Sequence, residues 1–61
     1  MITGYDARRI ADDCAIAIDA LMAIEGECHR GIVHESYLAE KVRKAQSCLA
    51  FLEGFIPKKE D

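Results

Sequence analysis

Apolar or small residues recur at Ala7, Ile10, Cys14, Ala17, Leu21, Ile24 and Cys28, in alternating steps of three and four. That spacing keeps one stripe on one side of a helix, so it predicts a long amphipathic helix. Thr3 stands where a side-chain oxygen caps the first orphan amides, and Asp6, three residues on, suits the positive end of the helix dipole. His29 and Arg30 bring positive charge to the other end, and Gly31 is suited to the left-handed conformation that stops a helix. Gly26 is a weaker break. The pattern predicts a helix over about residues 4–30.

The same alternation returns at Leu38, Val42, Ala45, Leu49, Leu52 and Ile56, with Glu40, Ser47 and Gly54 on the opposite side. A second amphipathic helix is expected over about residues 34–55. His34, Glu35 or Ser36 lies at its start, Gly54 and Pro57 set its end, and a short tail covers 57–61. A connection of a few residues between two long helices favours an antiparallel hairpin. The fold class is therefore all-α, one helical-hairpin domain over residues 1–61. Its expected core is the two stripes facing one another, with Ile10 toward Leu52 and Ile56, Ala17 toward Leu49, Leu21 toward Ala45, and Ile24 toward Val42 and Leu38; Cys14 and Cys28 complete the first stripe.

One stripe per helix suffices for a hairpin, yet residues 14–24 hold Asp19 as their only polar side chain. Ile18 lies at the margin of the stripe, and Ile16 and Met22 lie well round toward the back, beyond the reach of the second helix. The row Tyr37, Lys41, Lys44, Cys48, Phe51, Phe55 also turns apolar toward its end, making Phe51 and Phe55 a second patch. Contiguous apolar surface of this kind is unusual on soluble monomers. Ile16, Ile18, Met22, Phe51 and Phe55 are thus the expected interface. The simplest cover is a second copy, two hairpins forming a four-helix bundle; a different protein docked helix-in-groove is the competing cover.

Size points the same way, because 61 residues fall in the range where one core rarely offsets chain entropy without a disulfide, a metal or a partner. A charged fraction of 31% with both signs interspersed places the chain among globular proteins, and no run reaches membrane-spanning length. The net charge of −3 argues for neither a strongly electrostatic nucleic-acid binder nor an acidic mimic. The opening Met-Ile-Thr-Gly-Tyr-Asp lacks the basic start and continuous apolar run of a secretion signal, so a cytoplasmic protein is expected. Three cysteines at spacings that match no disulfide or zinc framework fit a reducing compartment.

Candidate chemistry is sparse. Cys28, His29, His34 and Glu35 gather near the turn, and Cys and His are natural zinc ligands, but the spacing is not a zinc pattern and each has a structural role there. Cys14 and Cys28 sit on the stripe and Cys48 on its flank, where burial opposes the thiolate that a nucleophile needs. Asp12 with Asp13, and Glu25 with Glu27, fall mostly on the outer face, and the Glu-x-x-His signature of di-metal bundles is missing. No catalytic residue, metal or cofactor is expected.

Arg8, Arg9, Arg30, Lys41, Arg43 and Lys44 are the basic residues that dimerisation would gather for a phosphate backbone, diluted by intervening acids. In length and layout the chain resembles the Rop-type plasmid RNA regulators, which are hairpins that dimerise into four-helix bundles. The resemblance covers the two-helix plan alone and carries over no RNA-binding residue. Three functional readings follow in order. The first is a non-enzymatic homodimeric interaction module that regulates or inhibits another protein. A Rop-like nucleic-acid binder comes second, and an assembly held by metal at the turn third.

Overall fold

The computed structural model describes residues 2–57. Two helices carry the chain, α1 over Gly4–Arg30 and α2 over Glu35–Glu53, and they pack against each other as an all-α hairpin. Among the described residues there is no strand. The expected tail falls outside the described residues beyond Pro57.

The ends form for the reasons the sequence supplies. Thr3 keeps extended backbone, and its hydroxyl oxygen accepts from the Asp6 amide at 3.1 Å, which satisfies one of the orphan donors of the first turn. Gly31 takes φ 90°, where a Cβ is disfavoured, and its amide donates to the Cys28 carbonyl at 3.1 Å. Gly26 stays inside α1 and breaks nothing. His34 is the residue that precedes α2, with extended backbone and no side-chain cap, while Glu35 supplies negative charge to the first turn.

The end of α2 differs from a glycine stop, because Gly54 remains right-handed at φ −62°. The chain instead tightens into i→i+3 turns, Gly54 donating to Phe51, Phe55 to Leu52 and Ile56 to Glu53. Pro57, which has no amide to donate and disfavours helix in the residue before it, then ends the run.

The helices meet through a different part of their surfaces from the one the stripes predict. On α1, Ile10, Ala17 and Ile24 are half-buried as expected, but the positions between them are Asp13, Ala20 and Glu27, in place of Cys14, Leu21 and Cys28. Leu21 is 57% exposed and Cys28 is exposed, while Cys14 sits half-buried at the margin. On α2, Ala45 and Leu52 are half-buried, but Leu38 and Val42 are each 37% exposed and Leu49 56%, and just past the helix end Ile56 is 66% exposed. Tyr37, Lys41, Cys48, Phe51 and Phe55 take the inward side instead.

Small side chains explain the shift. The two most buried residues are Ala20, 3% exposed, and Cys48, 5% exposed, so the helix axes approach across alanine and cysteine and not across leucine. Interaxial distance follows the size of the side chains at the contact, and large residues in the direct line would hold the helices apart. The resulting body is a slab of 44 × 29 × 14 Å, long and wide but only one helix layer thick.

Candidate interaction faces

Each displaced stripe residue follows a contact residue by one position. Cys14 follows Asp13, Leu21 follows Ala20 and Cys28 follows Glu27; Leu38 follows Tyr37, Val42 follows Lys41, Leu49 follows Cys48 and Ile56 follows Phe55. One step is about 100° of rotation in a fixed sense. Seen from one end of an antiparallel pair, the two helices wind in opposite senses, so the same step on both leads to the same side of the slab. The two stripes therefore do not oppose each other. Both turn toward one broad face, where Ile18, Leu21, Leu38, Val42, Leu49 and Ile56 stand exposed. On α1 this face includes a shallow hollow of about 160 Å³ lined by Ile18, Leu21, Met22 and Glu25.

The opposite face is polar with one apolar inlet. Arg9, Asp12, Asp13 and Ile16 of α1 and Phe51 of α2 line a cleft of about 260 Å³. The Arg9 guanidinium lies 5.0 Å from the centre of the Phe51 ring and 5.7 Å from that of Tyr5, a cation–π contact that ties α2 to the start of α1. Phe51 in turn meets Phe55 edge to face, ring centres 5.3 Å apart at 75°. The two phenylalanines are half-buried and close the open end of the hairpin, so they do not form the free second patch expected of them.

The five residues expected at the interface divide between the two sides of the slab. Ile18 and Met22, 61% exposed, share the hollow on the broad apolar face, Ile16 and Phe51 line the cleft behind it, and Phe55 meets Phe51 at the hairpin end. The six-residue face is hard to see in the sequence because all its members except Ile18 also read as hairpin core. A signal for it lay in the heptad row Asp6, Asp13, Ala20, Glu27, which runs beside the stripe and is half-buried or buried throughout. Two of those side chains are held in specific surroundings. Glu27 pairs with Arg30 one turn on, and Asp13 keeps one carboxylate oxygen shut from solvent with no partner.

Asp13 also lies beside Cys48. Burial first, and the Asp13 carboxylate second, push the Cys48 thiol above its ordinary 9.0, with the Cys14 thiol adding to the rise and the Lys44 ammonium opposing it. An unfolded chain ionises this thiol near 9.0, whereas the hairpin holds the proton to higher pH. Stability from this group is intact below that value and is lost as pH rises through the folded one. The urea midpoint should therefore fall above pH 9, and Cys48→Ala should flatten that alkaline fall; equal slopes for the two proteins would refute the coupling.

The remaining candidates stay apart. Among the described residues no three His, Cys, Asp or Glu side chains converge as a metal site; Cys28, His29, His34 and Glu35 are each exposed around the turn. Of the six basic residues expected to gather on dimerisation, Arg30 is engaged with Glu27, Arg9 with two rings and Lys41 with Tyr37 at 5.4 Å, so these three form local contacts. Among the described residues no helix is long and apolar enough to cross a membrane. No family model, curated protein or solved structure matches the chain.

Proposed function

We propose that this chain is a non-enzymatic helical interaction module that works as an assembly, its broad apolar face closed by a second hairpin into a four-helix bundle. The observation that carries the reading is the common turn of both stripes. In a self-sufficient pair of helices the stripes point at each other. In a four-helix bundle each points at a central axis that lies to one side of the pair.

Energetics favour the same outcome. The six exposed residues of the face average about half exposure, and complete burial of such side chains contributes ~1.5–3 kcal/mol each. Closing the face on two copies then contributes about 9–18 kcal/mol, against an association cost of about 4–15 kcal/mol. The broad side of the slab, within an outline of 44 × 29 Å, has room for the ~800 Å² per partner that stable interfaces bury.

In this assembly the cleft of Arg9, Asp12, Asp13, Ile16 and Phe51 points outward on both sides. It is the surface through which the module engages the protein it regulates or inhibits, an apolar inlet with charged rims. Sedimentation equilibrium at micromolar concentration tests the assembly. A particle of twice the 6.8 kDa chain mass is expected. A folded monomer at that concentration would defeat the proposal.

A further inference from the structure

Resting on that assembly, we infer that the two copies dock with their turns at the same end, α1 of each lying on α2 of the other. The two helices present unlike rows to the shared face. On α1 the row is Ala7, Cys14, Leu21 and Cys28, small at three of four positions, with Ile18 at its outer margin; on α2 it is Leu38, Val42 and Leu49, branched and large throughout and continued past the helix end by Ile56. The face is thus a trough beside a ridge.

Only two arrangements stack such hairpins face to face about a two-fold axis. With turns at the same end, each ridge enters the other copy's trough, twice by symmetry. With turns at opposite ends, α1 lies on α1 and α2 on α2, so trough meets trough and ridge meets ridge. Because side-chain size sets the distance between helix axes, that alternative draws one pair of helices together and forces the other apart. The slab would become a wedge with an open edge, whereas the first arrangement gives equal spacing on both sides.

Register agrees. Asp13 beside Cys48 fixes which levels of α1 and α2 coincide. Counting from that pair, Ala7 falls nearly level with Ile56, Cys14 with Leu49, and Leu21 with Val42. When the turns share an end, these levels hold between copies as well as within one. Leu21, the one large member of the α1 row, then meets Val42, the smallest of the α2 row. Small therefore meets large at two of the three levels, and the third takes the smallest member of the α2 row, as interdigitated layers require.

The test uses the full chain with its cysteines intact and a photo-crosslinking benzoylphenylalanine placed at Ile32 in one variant and at Ile56 in another. Dimers mixed from isotopically heavy and light chains separate crosslinks between copies from those within one. The inference expects Ile32 to join the partner within residues 28–38, and Ile56 to join it within residues 4–11. Joining of Ile32 to the partner's residues 2–10 or 50–57, or a dimer that yields neither expected product, overturns the orientation while leaving the assembly standing. A particle that sediments as a monomer before irradiation overturns the assembly itself.

Discussion

Leu49→Asp is expected to break the assembly and unfold the chain, while Ile16→Asp leaves the particle intact. Leu49 stands 56% exposed on the broad apolar face, so its side chain leaves water only when that face is covered. Replacing it loses about half of the ~1.5–3 kcal/mol that full burial of a leucine contributes, the share gained on assembly, and places an ionised carboxylate where a desolvated site penalises it further. Two-fold symmetry repeats the defect in both copies. The combined loss of at least about 4 kcal/mol per dimer corresponds to roughly a thousand-fold weaker association.

Ile16 provides the contrast, since it is also exposed, at 44%, but lines the cleft on the opposite side with Arg9 and Phe51. Sedimentation and far-ultraviolet circular dichroism on both variants read the outcome. Dissociation by Ile16→Asp together with an intact Leu49→Asp dimer would reverse the assignment of the faces. If both variants stay dimeric and fully helical, neither face holds the assembly.

What the chain discloses by itself, and what it withholds, follows from this contrast. Helix limits are set by local chemistry within a few residues of each end, and Thr3, Gly31 and Pro57 act locally. Both helices therefore fall within two residues of the expected bounds. The direction in which an apolar stripe points is a different kind of property. A period of three and four residues defines which side of a helix is apolar, but is indifferent to whether that side meets one neighbour or a bundle axis.

Asp13 and Glu27 deepened the ambiguity, because acids on a row read as solvated surface. Here that row is the contact side, made workable by Ala20 and by the pairing of Glu27 with Arg30, while Asp13 keeps one carboxylate oxygen buried. Phe51 and Phe55 misled for a related reason. Large aromatic residues outside the stripe look like surplus, yet they bridge to Arg9 and Tyr5 at the end of the hairpin where the small-residue contact gives out.

The same argument about side-chain size makes Ala20→Leu the most damaging change expected inside the hairpin. Ala20 is 3% exposed on the side of α1 that meets α2, with half-buried Ala17 and Ala45 among the small residues that share the contact. A leucine there must either spread the helices or leave its rotamer minimum, and overpacking of this kind costs about 1–3 kcal/mol. Spreading also pulls Cys48 and the Phe51 contact with Arg9 away from α1, so the penalty lies toward the upper part of that range. Ala15→Leu is the control, since Ala15 is exposed on the same helix, and leucine is nearly as good a helix former as alanine. Its effect should stay within about 0.5 kcal/mol. Urea midpoints at matched protein concentration separate the two. If Ala20→Leu proves as stable as the parent, the helices do not meet through their small residues, and the turn of both stripes toward a common face loses its physical cause.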